Sequence, residues 1–227
     1  MTKHLVSSAV FAGLAAGLCA AMLQLLFVTP LLLEGELFET GARMHFAAGG
    51  APQSEAGNVS LAGEPMRHVL TLAMDLVTYT GFALLMVAGF ALAARRGIRV
   101  TPRSGLVWGL AGFLAIQLAP AVGLPPELPG TMAADLVARQ IWWVATAAAT
   151  VAGLALIAFG SDLPKGLIGA ALILLPQMIG APHLDNYFGI APPELSAQFA
   201  TASLGVAAAS WAVLGLVAAY FWSRPAQ

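Results

Sequence analysis

Charged residues are scarce in this sequence. Lys and Arg number 10 and Asp and Glu number 11 among 227 residues, so 9% of the chain is charged. A soluble domain is usually about 25% charged, whereas this chain is 59% hydrophobic and has a mean hydropathy of +0.83. So few charges cannot cover a water-facing surface around a buried core, and they form no basic patch that would bind nucleic acid. The composition therefore predicts a protein whose surface faces lipid.

Cysteine and catalytic motifs are scarce as well. Cys19 is the single cysteine, which excludes a disulfide within the chain and any CxxC metal or redox motif. The sequence has no H-E-x-x-H, G-x-S-x-G, Walker A or Rossmann glycine pattern, and its four histidines are scattered. These absences predict that the chain is not an enzyme and binds no cofactor.

Six apolar segments are long enough, or nearly long enough, to cross a bilayer, which takes about 20 residues. The segments are residues 5–28, 69–94, 104–122, 140–160, 166–181 and 197–222. They predict an all-α integral membrane protein with about six transmembrane helices, arranged as three helical hairpins in a single transmembrane domain over residues 1–227. The first segment is longer than the 7–15 residues of a signal-peptide core, so we expect a retained helix. A long outer loop is predicted over residues 29–68.

Lys and Arg are unevenly divided between the two ends of these spans. One side carries seven of them, Lys3, Arg95, Arg96, Arg99, Arg103, Lys165 and Arg224, and the other carries three, Arg43, Arg67 and Arg139. The positive-inside rule therefore predicts a multi-pass protein of the bacterial inner membrane with both termini in the cytoplasm. Most acids fall on the outer side, either because basic residues are rare there or because they form a surface that collects cations.

An internal repeat relates residues 104–160 to residues 166–222. In each, a Gln near the outer end of the first helix is followed by Ala-Pro and then by Pro-Pro-Glu-Leu. The first hairpin has a looser version of the same order. The recurring residues are Gln117, Pro120 and Glu127, then Gln177, Pro182 and Glu194, and in the first hairpin Gln24, Pro30 and Glu36. Such repeats often surround a substrate path, whereas chance similarity of apolar helices is the alternative.

Asp75 is the one acid inside a predicted span. A charge in hydrocarbon costs at least about 2.5–3.5 kcal/mol, so this side chain should face the helix bundle or a wet cavity. His68, Thr71, Asp75 and Thr78 recur in steps of three and four residues and therefore share one helix face. That stripe could lead a cation inward. The alternative is an Asp held by hydrogen bonds to neighbouring helices, with no role in transport.

The other candidate metal ligands lie near the outer ends of the helices or in the outer connections. They are Gln24, Gln117, Gln177, Glu36, Glu127, Glu194 and His183. The amides offer neutral oxygen ligands and the carboxylates would collect ions above them, whereas interhelical hydrogen bonding is the alternative for each Gln. Asp135 and Arg139 are spaced to form an ion pair at the start of the fourth helix.

Three segments resemble the CbtA family of predicted cobalt transporter subunits. They are residues 118–143 (LAPAVGLPPELPGTMAADLVARQIWW), 27–39 (FVTPLLLEGELFE) and 175–182 (LPQMIGAP). The resemblance runs over essentially the whole chain. It implies a membrane subunit of a cobalt transporter, linked to cobalamin supply, that works beside a small single-helix subunit, CbtB, with a histidine-rich tail.

Two features depart from the pattern of that family. Many members carry a histidine-rich stretch in the first outer loop, where this chain has only His45 before His68, and many have His where this chain has Gln177. Imidazole suits Co²⁺ better than a neutral amide does. The alternative function is therefore a structural or assembly subunit of a larger membrane complex that has lost metal handling.

The predicted topology can be tested with reporter fusions. A reporter fused after Gln227 should report the cytoplasmic side and one inserted within residues 53–58 should report the opposite side, because five of the six predicted spans, an odd number, separate the two sites. Finding both reporters on the same side of the membrane would show that the number of spans or their orientation is wrong.

Overall fold

A computed structural model describes residues 2–45, 55–57, 59–186 and 188–224 of the chain. Every regular element within these ranges is a helix, so the predicted all-α class is confirmed. Of the fusion sites named above, Gln227 and residues 53, 54 and 58 lie outside the described residues. The α-helices are α1 Thr2–Leu23, α2 Thr29–Glu39, α3 Pro65–Arg95, α4 Pro102–Phe113, α5 Ala119–Ala121, α6 Leu136–Phe159, α7 Leu163–Ile179 and α8 Pro193–Trp222.

Five helical stretches in the described part of the chain are long and apolar enough to span a membrane. They are Leu5–Glu39, Pro65–Arg95, Pro102–Ala121, Leu136–Phe159 and Pro193–Trp222. The sixth, Leu163–Ile179, is apolar but has only 17 residues. This set agrees with the prediction of about six spans, including the weakness of the fifth, which contains Pro176.

The first helical stretch is longer than the sequence predicts. The sequence predicts that this span ends at residue 28, the last residue of the apolar run, and that residues 29–68 form an outer loop. The structure instead continues with α2 as far as Glu39, and α3 begins at Pro65. Pro30 lies in the first turn of α2, where its missing N–H removes no necessary hydrogen bond. The connection between helices is therefore shorter than 29–68.

Two α-helices begin with an aspartate cap. The carboxylate of Asp135 accepts from the N–H of Ala138 at 2.9 Å, and that of Asp162 accepts from the N–H of Lys165 at 3.0 Å. The expected ion pair between Asp135 and Arg139 is replaced, since Arg139 donates to Glu127 at 2.9 Å. An N-cap carboxylate satisfies a backbone donor that has no partner inside the helix, so the role of Asp135 is to cap the N-terminus of α6.

Two π-helical segments widen the first and third helical stretches. They are Gln24–Val28 and Leu114–Leu118. Each begins six residues before a proline, Pro30 or Pro120. Proline has no N–H for the carbonyl four residues earlier, so the regular α-helical ladder is interrupted at the same place in both helices. This shared register is consistent with related hairpins, although the repeat of 104–160 and 166–222 as a whole stays a prediction.

The chain divides into two compact units, and the first comprises Met1–Leu26, Ala62–Phe113 and Gly205–Gln227. Its helices meet at glycines. A Cβ on Gly13 or Gly17 would collide with the backbone of α3, at Thr80 and Leu76 respectively, and Gly109 meets α8 in the same way. Small residues allow such backbone contact between helices in a membrane.

The second unit comprises Phe27–Leu61 and Leu114–Leu204. In it α6 and α7 touch at Gly153 and Gly169, each of whose Cβ positions would fall on the other's backbone carbonyl. A separate buried apolar cluster joins α2, the segment after α5 and the start of α8. Its members are Phe38, Leu128, Ala191, Leu195 and Phe199, with Val28, Leu31 and Leu32 packed against them.

Replacing Gly109 by Ala should destabilise the first unit. The added methyl would overlap the carbonyl oxygen of Trp211 on α8 and lie 3.2 Å from the Cα of Gly215, so α4 and α8 would have to separate. The matched control is Gly205→Ala on α8, where a Cβ meets nothing within 4 Å and the change should be neutral or stabilising by about 0.5–1 kcal/mol. Thermal unfolding in detergent measures both; equal midpoints for the two variants would contradict the close contact.

Candidate functional site

The Asp75 carboxylate lies on α3, in contact with the first residue of a π-helical segment. The side-chain amide Nε2 of Gln24 donates to Oδ1 of Asp75 at 2.9 Å. The close approach of α1 to α3 makes this contact possible, because a Cβ on Gly17 would lie 2.8 Å from the Cα of Leu76 and 2.9 Å from the carbonyl oxygen of Asp75. The glycine therefore positions the pair.

The second carboxylate oxygen of Asp75, Oδ2, has no partner like that of Oδ1. It is shielded from solvent and accepts no hydrogen bond from any described residue. A buried polar atom without a partner is costly, and an acid within a membrane span marks a functional site by default. The carboxylate thus has one oxygen held by a neutral amide and one able to accept a ligand.

An open cleft of about 590 Å³ leads to this carboxylate in the first unit. Its lining residues are Gln24, Glu64, Met66, Arg67, Leu70, Thr71, Met74 and Asp75. Glu64 and Arg67 form an ion pair of 3.6 Å whose side chains are 69% and 32% exposed, so it is worth little energetically. Taken together, the lining residues of the cleft offer carboxylate, amide and hydroxyl oxygens and the thioethers of Met66 and Met74.

The predicted stripe of His68, Thr71, Asp75 and Thr78 is found only in part. Thr71 lines the cleft with Asp75. His68 is half-buried at the start of α3 but does not line the cleft, and Thr78 is exposed. Of the predicted ligands, the structure brings Gln24 and Asp75 together.

The other two glutamines belong to the second unit. Gln177 donates through Nε2 to the carbonyl oxygen of Ala119 at 2.9 Å, and Gln117 is half-buried in the π-helical segment. In a regular α-helix the N–H of Gly123 would donate to the carbonyl of Ala119, four residues earlier. Here the N–H groups of Gly123 and Leu124 both donate to the carbonyl of Pro120, so the carbonyl of Ala119 is left to accept from Gln177. The side chain of Gln177 thus supplies a donor to Ala119.

The predicted outer ligands also lie in the second unit, each in a different setting. Glu127 pairs with Arg139, Glu36 is half-buried on α2, and Glu194 is exposed in the first turn of α8. His183 is exposed, with Nδ1 3.2 Å from the carbonyl oxygen of Leu184. No group of three or more His, Cys, Asp and Glu side chains that could hold a metal occurs among the residues described. The metal-ligand set therefore stays a prediction.

Sequence reasoning missed a second buried carboxylate, that of Glu34. It is 7% exposed, and its Oε1 accepts from Arg43 at 2.6 Å and from the N–H of Gly57 at 2.8 Å. Arg43 also donates to the carbonyl oxygen of Gly57. The available signal was an acid on the same face as Leu31 and Phe38, which are three residues before and four after it. The prediction of an outer loop over residues 29–68 leaves no helix face on which this acid would be recognised.

These long apolar helices, with the Asp75–Gln24 pair among them, define a multi-pass membrane protein. The family model described as "Probable cobalt transporter subunit (CbtA)" matches residues 2–223. The chain therefore belongs to the CbtA family of probable cobalt transporter subunits, which confirms the resemblance seen in the sequence. As a transporter subunit it is embedded in the membrane and works with partners. No curated protein and no solved structure matches the chain.

Removing the Glu34 carboxylate should destabilise the second unit. Its side chain and that of Arg43 are 10% and 15% exposed, and leaving one member of a buried pair without its partner costs about 3–5 kcal/mol. The matched control is Glu127→Ala, since the Glu127 and Arg139 side chains are 32% and 26% exposed and a more exposed pair contributes only about 0.2–1 kcal/mol. Thermal unfolding of Glu34→Ala in detergent should show the larger drop; a drop no larger than that of the control would contradict a buried pair.

Proposed function

We propose that this chain carries a divalent cation, cobalt, across the membrane, and that the ion first binds at Asp75 and Gln24. The observation that supports this proposal is the Asp75 carboxylate at the cleft, with Oδ1 held by Gln24 and Oδ2 buried without a hydrogen-bond partner among the described residues. A nearby cation stabilises the ionised form of a carboxylate in apolar surroundings, which otherwise takes up a proton.

The ligands at this site are few and mostly neutral. Asp75 supplies the charge, and the amide oxygen of Gln24 and the hydroxyl of Thr71 can supply two further oxygens. Because the amide nitrogen of Gln24 now faces Asp75, the amide must rotate for its oxygen to reach an ion. Such a weak site suits passage, since a permeating ion must leave as well as enter.

The proposal includes an orientation. The seven-to-three division of Lys and Arg supports cytoplasmic termini in a bacterial inner membrane. α3 then runs from its outer end at Pro65 to its inner end at Arg95, and Asp75 lies ten residues, or about 15 Å, along it. The cleft would then admit ions from the outer side, and Glu36, Glu127, Glu194 and His183 would be ion-collecting groups on that side.

The proposal also includes a partner. The family resemblance implies a small CbtB-like subunit with one helix and a histidine-rich tail. Imidazole is a better ligand for Co²⁺ than the amides of Gln117 and Gln177, so such a tail would concentrate the metal for a chain that moves it onward. The proposed activity is ion passage, without chemical conversion of a substrate.

The Asp75→Asn variant tests the function, because it keeps the shape of the side chain and removes its charge. Cobalt uptake by cells that express the whole transporter should fall to the level of cells without it, at equal abundance of the chain in the membrane. The matched control is Asp162→Asn, in which an exposed helix cap is replaced by another good cap; it should retain uptake. Unchanged uptake in Asp75→Asn would show that Asp75 is a structural polar residue.

A further inference from the structure

A second oxygen lies one helical turn beyond Asp75. Tyr79 follows it by four residues on α3, hence on the same face, and is 5% exposed. Its hydroxyl is hydrogen-bonded to the side chain of Ser210 on α8, which is fully buried. All three residues belong to the first unit. The polar line that begins with Gln24 therefore continues inward from the cleft.

The direction of these hydrogen bonds fixes where the Tyr79 proton points. Oγ of Ser210 donates to the carbonyl oxygen of Val206 at 2.8 Å, and a carbonyl oxygen can only accept. A serine hydroxyl has a single proton, so it can only accept from Tyr79, which must be the donor. The phenol proton is thereby directed to Ser210, and the lone pairs of the phenol oxygen remain available to another partner.

Aromatic neighbours hold the ring of Tyr79 in place. Its centroid lies 5.9 Å from that of Phe82 in an edge-on arrangement, and the ring of Phe82 lies 4.7 Å from that of Trp211. The Asp75 carboxylate belongs to the preceding turn on the same face of α3. The oxygen is therefore fixed in position and near the negative group at which the proposed ion first binds.

We propose that the Tyr79 hydroxyl, oriented by Ser210, is the next ligand for the divalent cation after Asp75. The proposal rests on the proposed function, since it assumes that an ion reaches Asp75. Oxygen is a usual ligand atom for divalent cations, and a neutral oxygen one turn deeper lets an ion move on from the carboxylate without meeting a second trapping charge. Tyr79 is then a ligand, and Ser210 is a positioning residue.

The test measures cobalt uptake against cobalt concentration in cells that express the whole transporter. Tyr79→Phe removes the oxygen and keeps the ring, so the maximal rate should fall by about tenfold, the equivalent of about 1.4 kcal/mol, with the half-saturating concentration little changed because Asp75 still captures the ion. Ser210→Ala keeps the oxygen but frees its proton to rotate, and should lower the maximal rate by less. The matched control is Phe82→Leu, which disturbs the same aromatic packing and removes no oxygen.

The outcomes separate this inference from the proposed function. Loss of uptake in Asp75→Asn with normal uptake in Tyr79→Phe would overturn the role of Tyr79 and leave the role of Asp75 intact. Normal uptake in both variants would overturn both. If Tyr79→Phe fails to reach the membrane, Ser210→Ala decides: a lowered maximal rate supports the proposal, and an unchanged rate contradicts it. A maximal rate in Phe82→Leu as low as that in Tyr79→Phe would show that packing alone is responsible.

Discussion

The short distance between α1 and α3 is the constraint on which the contact between Gln24 and Asp75 depends. Gly13 and Gly17 face backbone atoms of α3 with no room for a Cβ, and this closeness lets the side chain of Gln24 reach Asp75. In hydrocarbon there is no water to satisfy a polar group whose partner is lost. The two glycines therefore allow the carboxylate of Asp75 to contact Gln24. Gly13 meets Thr80, the residue after Tyr79, so the same packing of α1 on α3 also positions Tyr79.

The fold class and the family could be predicted because both depend on features that are local in sequence. Runs of apolar residues reveal spans, and the segment of residues 118–143 is long enough to identify a family. The end of the first span could not be predicted in this way. The apolar run ends at residue 28, yet a proline such as Pro30 is well suited to the first turn of a new helix, and only the structure shows that α2 follows directly.

The candidate site could be predicted only as far as single residues. Asp75 stands out because it is an acid in an apolar helix, and Gln24 because it recurs in the repeat. Their contact depends on helix packing, which spacing along one helix does not reveal. The same limit explains two other outcomes: His68 shares a helix face with Asp75 yet does not line the cleft, and Arg139 pairs with Glu127 rather than with Asp135.

The carboxylates of Glu34 and Asp75 show how a partner determines what an acid can do. Glu34 is held by the guanidinium of Arg43 and by a backbone N–H, so its charge is neutralised and an arriving cation would have to displace a tethered one. Asp75 is held by the amide of Gln24, which supplies a hydrogen bond but no charge. When ionised, such a carboxylate attracts a cation strongly, and an amide can turn its oxygen toward that cation where a guanidinium cannot. The first arrangement suits a structural tie, and the second is the one that the proposed ion site requires.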